Sequence, residues 1–487
     1  MQSLLVLLLA VTCLLAGSPA RAQMDADGVQ VLRGAVSALG PEGAFPIGTP
    51  TMPVSLPDEW AVNRPGYRGT VWYRASFTQH AQGQPGAPQP GDMLALWIER
   101  VCSNAEVHLN GRLLARGGRM SLPYTRNCNH PMLLPLPEAL LLSGENVIEL
   151  RVAGHALASS GSRLRAGSLS ALQVGPQSVL AARHARATAL QVEVPMASSA
   201  VLLLTGGFMF LLGYRHRRVS HLAYFGALCV CWALLNVGQW WRDLPLGHTE
   251  AEFISVCLLG FTAWAAVQFL LRYGGLRMKL VDRVLPAQTA LLALSLLAAG
   301  HNRLHDVATV WYAVLALEMG AAAVWHLRRR KSTRSVGVMG PLMAVAALAG
   351  LIAMGVEWAG WPASAAHGAE LMVPLVLALV GLRLTQQHGH ALQMAEQGRQ
   401  VLEQRVREAT SEIERNFRQL AELKVEQVTE KERKRIAADL HDDLGAKLLT
   451  IVHTSDNDRI SSLAREALEE MRLSVRGLTG RPVRLAD

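Results

Sequence analysis

Charged residues are scarce in this sequence: they make up 17% of its 487 residues, whereas hydrophobic residues make up 50% and the mean hydropathy is +0.20. Soluble domains average about 25% charged residues, so the composition argues against an ordinary soluble protein and favours one surrounded by membrane lipid. The formal net charge is +9, but no compact basic domain carries it. Lys and Arg flank apolar stretches instead, which indicates membrane topology and no nucleic-acid partner.

Cysteine is also rare, with six residues in the whole chain. Cys102 and Cys128 lie before the first long apolar stretch, and export of that segment would place them in an oxidising compartment. The sequence therefore predicts a disulfide bond between them, with two buried thiols as the alternative. Three more cysteines lie in apolar stretches without further ligand residues nearby, so we expect packing and no metal site: Cys229, Cys231 and Cys257.

The N-terminus has the features of a signal peptide. An apolar stretch from Leu4 to Ala16 precedes Ala20-Arg21-Ala22, the small-x-small pattern at which signal peptidase cuts. Residues 1–22 are therefore predicted to be removed after export. The stretch is short for a membrane span and lacks a basic region before it, and an uncleaved anchor is the alternative.

Residues 23–190 are predicted to form an all-β sandwich. Short runs of alternating hydrophobicity are separated by Gly, Pro and Asn, and Asn110-Gly111 is a strong signal for a two-residue hairpin. The order of four segments is similar to that of the jelly-roll domain at the front of family 2 glycoside hydrolases: Leu56-Pro-Asp-Glu-Trp60, Trp72-Tyr-Arg-Ala-Ser-Phe77, Val107-His-Leu-Asn-Gly-Arg112 and Leu142-Ser-Gly-Glu-Asn-Val147.

That resemblance implies a galactose-binding-like fold, which often holds carbohydrate, although a fold alone does not identify a ligand. A small molecule or carbohydrate is therefore an expected ligand class of the exported domain. No pair of carboxylates indicates glycoside cleavage. Four aromatic residues would either stack on a sugar ring or lie in the core, and the core is the more frequent place for an aromatic residue in a strand: Trp60, Trp72, Tyr73 and Trp97.

Residues 194–385 contain seven apolar stretches that approach the ~20 residues needed to cross a bilayer. Clusters of Lys and Arg follow the first, third and fifth stretches, and the alternate loops are poor in both. By the positive-inside rule, the β-domain is exported and the C-terminus is cytoplasmic, as expected for a bacterial inner-membrane protein. The stretches are 196–213, 219–241, 252–271, 284–300, 307–327, 336–357 and 369–385.

An exported β-domain, seven helices and a cytoplasmic tail together resemble the bacterial receptors with diverse intracellular signalling modules. Glu318 lies in the middle of the fifth stretch, where an ionisable residue is costly and usually faces the interior of the helix bundle. Two roles are open for it. It would either transmit a signal or pair structurally with Gln268, Asn236 or Gln239.

Residues 386–430 predict a coiled coil. Apolar residues recur at spacings of three, four and seven, and Glu, Arg and Gln occupy the positions between them, which favours two strands and therefore a homodimer over a solitary surface helix. The apolar positions are Leu402, Val406, Ile413, Phe417, Leu420, Leu423 and Val428.

Residues 431–480 predict a helical hairpin. Its first helix has an apolar face formed by Ile436, Leu440, Leu444, Leu448 and Ile451, and the residue after Leu440 is turned toward the edge of that face. A second amphipathic helix follows a polar turn. Two such hairpins from two chains would form a four-helix bundle and bury both apolar faces.

The first helix contains Arg435-Ile-Ala-x-x-Leu-His-Asp-x-Leu-Gly445, which resembles the phosphoacceptor helix of the sensor histidine kinases that include the nitrate and membrane-fluidity sensors. The resemblance implies a two-component system in which His441 is phosphorylated beside the acidic Asp442 and a response regulator then receives the phosphate. The family carries Gln where this chain has Ala446, which puts phosphatase activity in doubt.

No stretch matches the ATP-binding domain of these kinases, with its Asn-bearing helix and Asp-x-Gly-x-Gly loop. ATP and Mg²⁺ are therefore expected to bind a catalytic domain outside these residues, and the chain is expected to be inactive alone. Either the sequence is a fragment of a kinase, or another kinase phosphorylates it. A non-catalytic receptor or phosphotransfer scaffold is thus the alternative function, whereas the inverted repeat of a transporter is not found.

Overall fold

The computed structural model describes residues 27–40, 43–46, 48–79, 92–216, 219–328, 339–361 and 363–480. The predicted signal peptide lies outside the described residues. The chain folds as two compact units that meet between Thr385 and Gln386. Strands occupy the N-terminal part of the first unit, and helices occupy the rest of the chain.

The strands are short and belong to three sheets, with orders β3-β2-β5-β11-β8-β9, β1-β13-β6-β10 and β4-β12-β7. The strand bounds are β1 Gln30–Leu32, β2 Gly34–Leu39, β3 Thr51–Ser55, β4 Asp58–Glu59, β5 Gly69–Thr78, β6 Leu94–Ile98, β7 Val101–Cys102, β8 Asn104–Leu109, β9 Arg112–Arg116, β10 Met132–Pro135, β11 Glu145–Gly154, β12 Ser168–Leu169 and β13 Leu172–Pro176.

The centre of the largest sheet is the antiparallel pair of β5 and β11, whose register runs from Gly69 opposite Gly154 to Thr78 opposite Glu145. Alternate residues of both strands point into a shared apolar core, as period-2 patterning requires. The predicted hairpin joins β8 to β9, where Asn110 and Gly111 have φ values of 51° and 79°. Positive φ at both residues matches a two-residue turn of type I′.

The four aromatic residues considered for sugar stacking belong to the core. Trp60, Trp72 and Tyr73 are each 0% exposed and Trp97 is 6% exposed, so none presents a ring to solvent. Trp60 Nε1 donates a hydrogen bond of 2.8 Å to Tyr73 Oη, which donates in turn to the buried Asp58. The alternative in which these rings stack on a sugar is therefore wrong for the described fold.

The disulfide between Cys102 and Cys128 is present, and it joins β7 to the long loop between β9 and β10. The bridged residues are 26 positions apart in sequence. A closed loop of that length restricts the unfolded chain, which stabilises the fold by about 3 kcal/mol in the chain-entropy account.

One short helix, α1, lies within the β-domain, and the other helices follow the last strand. Their bounds are α1 Trp60–Asn63, α2 Gln177–Thr188, α3 Val194–Arg215, α4 Ser220–Trp240, α5 His248–Tyr273, α6 Lys279–Ala299, α7 Leu304–Arg328, α8 Met339–Trp358, α9 Ala363–Asp439, α10 Gly445–Thr454 and α11 Asp458–Thr479. A π-helical turn, Ala189–Glu193, joins α2 to α3, and a second, Leu440–Leu444, joins α9 to α10.

Six helical segments of the described chain are long and apolar enough to cross a membrane, as in a multi-pass membrane protein. A further apolar helical segment, Leu348–Trp358, lies in α8, and a seventh span there stays a prediction. The six segments are Gln177–Arg215, Ser220–Trp240, His248–Tyr273, Lys279–Ala299, Leu304–Trp325 and Glu370–Thr454.

Helices α3 and α4 pack in close backbone contact through glycine. A methyl group on Gly226 would overlap the backbone of Phe210 and Gly206, and one on Gly206 would lie 2.7 Å from Cys229 Cβ. Small residues allow such contact in apolar surroundings, where van der Waals packing drives helix association.

We expect Gly226→Ala to lower the free energy of unfolding by about 1–3 kcal/mol, because overpacking forces α3 and α4 apart. The matched control is Gly207→Ala, since a methyl group there meets nothing within 4 Å in the described structure. Thermal unfolding in detergent measures both variants. Equal unfolding midpoints would contradict the close contact at Gly226.

Candidate functional site

His441 lies in the second π-helical turn, between α9 and α10. The turn is closed by the N–H of Gly445, which donates to the carbonyl of Leu440 five residues earlier. The sequence within it, Leu-His-Asp-Asp-Leu followed by Gly, contains Asp and Gly, which have low helix propensity. Such π-turns are rare and occur often at functional sites. The imidazole of His441 is exposed in this chain.

The π-turn changes which residues face the partner helix of the hairpin. A five-residue step from Leu440 brings Gly445 against Met471 of α11, where an added methyl group would lie 3.3 Å from the Met471 methyl. Leu440 and Leu448 are half-buried, but Leu444 is 45% exposed. The predicted face of Ile436, Leu440, Leu444, Leu448 and Ile451 is therefore only partly buried in the single chain, and its burial against a second hairpin stays a prediction.

The remaining apolar residues of the hairpin form an uncovered surface. Ile436 and Ile451 are 39% and 41% exposed, and from α11 Ile460 and Leu463 are 48% and 58% exposed. A single hairpin thus buries only part of its apolar surface, as expected for half of a larger bundle.

Acidic residues engage the basic residues around His441. The Asp443 carboxylate accepts a hydrogen bond of 2.9 Å from Lys447, and Asp439 accepts one of 3.2 Å from Arg435. Arg435 also binds Glu432, whose carboxylate raises the pKa of the guanidinium. No hydrogen bond joins the side chains of His441 and Asp442 among the described residues. The imidazole of His441 is therefore exposed to solvent and does not bond to the neighbouring carboxylate.

The predicted coiled-coil stripe lies on α9 and faces solvent in the single chain. Apolar side chains at this heptad-like spacing therefore form an uncovered surface in the single chain. The exposed fractions are Leu402 62%, Val406 57%, Ile413 60%, Phe417 71%, Leu420 64%, Leu423 56% and Val428 60%.

Glu318 lies on α7 and is half-buried, and its hydrogen-bond partner is Gln288 of α6. The expected partners Gln268, Asn236 and Gln239 are therefore wrong for this contact. Gln268 instead accepts a bond of 3.3 Å from Arg272 on its own helix. Ala446 is exposed on the first turn of α10, close in sequence to His441.

A polar junction that sequence reasoning missed joins the β-domain to the ends of the helices. The loop between β11 and β12 inserts Gly161, whose N–H donates to Glu252 of α5 at 2.9 Å and whose carbonyl accepts from Tyr312 of α7 at 2.9 Å. Arg163 Nε donates to the carbonyl of Val356 at the end of α8 at 2.7 Å. One loop thus holds three helices at the same end.

Two carboxylates, one buried and one half-buried, define the charge pattern of the junction. Glu252 is 3% exposed and accepts from Arg165 Nε at 2.7 Å and from Arg165 Nη2 at 2.8 Å. Glu357 accepts from the backbone N–H of Arg163 at 2.9 Å and from the hydroxyl of Ser162. Burial alone would lower the pKa of Arg165, but the Glu252 carboxylate reverses the shift and holds the pKa above its usual range.

A second loop of the β-domain, anchored by the disulfide at Cys128, contacts the connection between α4 and α5. The N–H of Arg126 donates to the carbonyl of Arg242 at 3.0 Å, and Arg242 Nε donates to Asn127 Oδ1 at 2.9 Å. Thr125 Oγ1 donates to Asp243 at 2.6 Å. The helix ends that meet the β-domain therefore belong to the loops that the sequence predicts on the exported side.

We expect Arg165→Met to lower the free energy of unfolding by at least about 2 kcal/mol, because it leaves the buried Glu252 carboxylate without its charged partner. Arg116→Met is the matched control. Arg116 is 63% exposed, and its partner Glu106 keeps a second bond of 2.9 Å from Arg151, so its loss should cost less than about 1 kcal/mol. Unfolding midpoints measured in the same detergent test the pair, and similar shifts would refute the role of Arg165.

No family model matches this chain, and no curated protein matches it. Among solved structures, the chain is similar to a glycosyl hydrolase family 2 member from Bacteroides cellulosilyticus, with 20% identity over 30% of this chain and 20% of that chain at a TM-score of 0.23. A beta-glucuronidase from Faecalibacterium prausnitzii has 15% identity over 33% of each chain at a TM-score of 0.23.

A GH2 beta-galacturonidase from Eisenbergiella tayi, bound to glycerol, has 13% identity over 30% of this chain and 22% of that chain at a TM-score of 0.21. The chain thus spans a fifth to a third of the length of these three proteins. Similarity at this level carries no argument about the activity of this chain.

Proposed function

We propose that this chain is the receptor and phosphoacceptor part of a sensor histidine kinase in a bacterial two-component system. The observation that carries the proposal is the exposed His441 in a π-turn of a helical hairpin, directly after a helix that begins in apolar sequence at the last candidate span. The kinase motif around His441 gives this accessible imidazole its role as phosphoacceptor.

In the proposed reaction, a neutral ring nitrogen of His441 attacks the γ-phosphorus of ATP held with Mg²⁺ by a catalytic domain outside the described chain. A nitrogen–phosphorus bond forms, the bond to the bridging oxygen breaks, and ADP leaves. Asp442, one residue away, is the acidic group that supports the positive charge developing on the ring. The phosphoryl group then passes to an aspartate of the cognate response regulator.

The proposed active form is a homodimer. The stripe from Leu402 to Val428 and the uncovered face of the hairpin both lack cover in one chain, and a second copy brings an identical apolar surface to each. Two stripes form a coiled coil, and two hairpins form a four-helix bundle that buries Ile436 and Ile451. His441 lies beside this surface, so it would remain reachable from outside the bundle.

The proposal also includes the finer architecture. The β-domain is taken as an exported galactose-binding-like jelly roll that senses a small molecule or carbohydrate. Seven spans then cross the bacterial inner membrane, and residues 386–480 lie in the cytoplasm. The Lys and Arg distribution of the loops supports this orientation.

His441→Gln is expected to abolish phosphorylation, because glutamine has no nucleophilic ring nitrogen. The matched control is His453→Gln, since His453 is also exposed, on the neighbouring helix α10, and it should leave labelling unchanged. The measurement is acid-labile phosphate from labelled ATP in a protein that carries an ATP-binding domain, either encoded beyond residue 487 or joined there. Persistent label in His441→Gln would overturn the assignment.

The alternative function, a phosphotransfer scaffold, is supported by the lack of an ATP-binding motif in these 487 residues. Under that alternative, labelling of His441 requires a separate kinase added in trans, even when the encoded protein is complete. Labelling by the complete protein alone would exclude it.

Phe417→Asp is expected to weaken self-association at least tenfold, because a carboxylate in the centre of the stripe has no partner in a coiled coil. Gln419→Asp introduces the same charge on the same helix outside the stripe and should have little effect. Sedimentation or mass photometry in detergent gives the dimer fraction of both variants. A Phe417→Asp protein that stays dimeric at the same concentration would contradict the proposed stripe.

A further inference from the structure

A pair of stacked histidine rings lies within the junction between the β-domain and the helices. His155 follows β11 directly, and its ring lies parallel to the ring of His248, the first residue of α5, with centroids 3.7 Å apart and 5° between the planes. The ring of Tyr124 lies 5.4 Å from His155, with the planes tilted by 50°. His155 is 5% exposed, so the contact is closed to solvent on the β-domain side.

The surroundings of His155 disfavour a proton on its ring. Burial, the nearby His248 and Arg68, and more weakly Arg126, lower the pKa of His155 to about 3. The opposing charge is Glu252, whose carboxylate is already bound by Arg165. His248 Nε2 lies 2.9 Å from the hydroxyl of Ser160, so the stack is joined to the same loop as the ion pairs.

A second histidine of the β-domain also has a lowered pKa, and it lies where the β-domain contacts the connection between α4 and α5. His130 lies against the end of α4, where the backbone of Trp240 and Gln239 hydrogen-bonds with its ring. Burial and Arg242 lower the pKa of His130 to about 4. Its Nε2 is buried and finds no hydrogen-bond partner within the described part of the chain. Both contacts between the β-domain and the helices therefore contain a histidine held neutral.

We propose that this junction is a proton-binding contact: acid on the side of the β-domain protonates His155 and releases the loop of residues 155–165 from the start of α5. The driving force is electrostatic. An imidazolium at 155 would lie stacked on a second imidazole, near two arginines, and buried from bulk solvent. Opening exposes the ring to solvent, where the proton is stable.

The direction of the pH dependence follows from linkage. The closed contact holds His155 with a pKa of about 3, and a freed histidine has a pKa of about 6.5. The closed contact is therefore strongest above about pH 6.5 and weakens as the pH falls toward 3, because only the open form takes up the proton. At pH 4.5, proton binding to His155 alone raises the equilibrium constant for opening about 100-fold.

Hydrogen–deuterium exchange of the full chain in lipid nanodiscs tests the proposal. After correction for intrinsic exchange rates, the protection factors of the loop of residues 157–165 should fall about 100-fold between pH 7 and pH 4.5, while those of β5 and β11 change much less. His155→Phe keeps an aromatic ring on His248 but takes up no proton there. In this variant the fall in the protection factors of the loop between pH 7 and pH 4.5 should be at least tenfold smaller than in the unaltered protein.

The matched control is His108→Gln. His108 is also a buried histidine of the β-domain with a lowered pKa, caused by burial, but it lies on β8 beside Trp72. This variant should keep the full response of the loop. A response below tenfold in the unaltered protein, or an equal response in His155→Phe, would overturn the proposal.

The consequence for signalling rests on the proposed function, whereas the proton-linked opening does not. Exchange measures the opening without any phosphorylation. If the loop responds to acid but acid-labile phosphate at His441 is the same at both pH values, the proton-binding contact stands and the link to a kinase fails. If the loop does not respond, the contact fails whatever happens at His441.

Discussion

A buried carboxylate at the start of an apolar helix constrains the first unit of this protein. Glu252 is 3% exposed, and an ionised carboxylate in such surroundings is costly unless it is paired and hydrogen-bonded. Its partners come from the loop of the β-domain, through the guanidinium of Arg165 and the N–H of Gly161. The position of the loop follows from that requirement, since a Cβ at Gly161 would already lie 3.0 Å from the carboxylate.

The two units bury their large apolar side chains to different extents. The β-domain closes its core within one chain, so that even Trp60 and Tyr73 are fully buried and their polar atoms bond to each other and to Asp58. The second unit leaves large apolar side chains such as Phe417 and Leu420 more than 60% exposed. The proposed dimer rests on this contrast, since apolar residues recur at regular spacing on an uncovered helix of the second unit.

Local patterns predicted the local structure well. Alternating hydrophobicity predicted short strands in residues 23–190, and β5 and β11 are two of them. Asn110-Gly111 predicted its hairpin because both residues tolerate positive φ. The junction escaped prediction because its partners are far apart in sequence: Arg165 pairs with a carboxylate 87 residues away, and Arg163 binds one 194 residues away. Periodicity reports which face of a helix is apolar, but it does not pair distant charges.

The π-turn at His441 escaped prediction for a related reason. The N–H of Gly445 bonds five residues back, and Gly445 lies against Met471 across the hairpin, a contact between two helices that neither helix encodes alone. The deviation sets the imidazole at an irregular point of the backbone, and π-turns of this kind occur often at functional sites.

The loop of the β-domain contacts the chain just before α9 begins. Arg163 donates to the carbonyls of Val356, at the end of α8, and of Trp361, two residues before α9 begins. From Ala363 the backbone continues as α9 to Asp439, two residues before His441. Because Pro374 lacks an N–H, the helix is weakest one turn around that residue. Loss of Arg163 would therefore free the carbonyl of Trp361, two residues before α9 begins, and Pro374 lies within the first twelve residues of that helix.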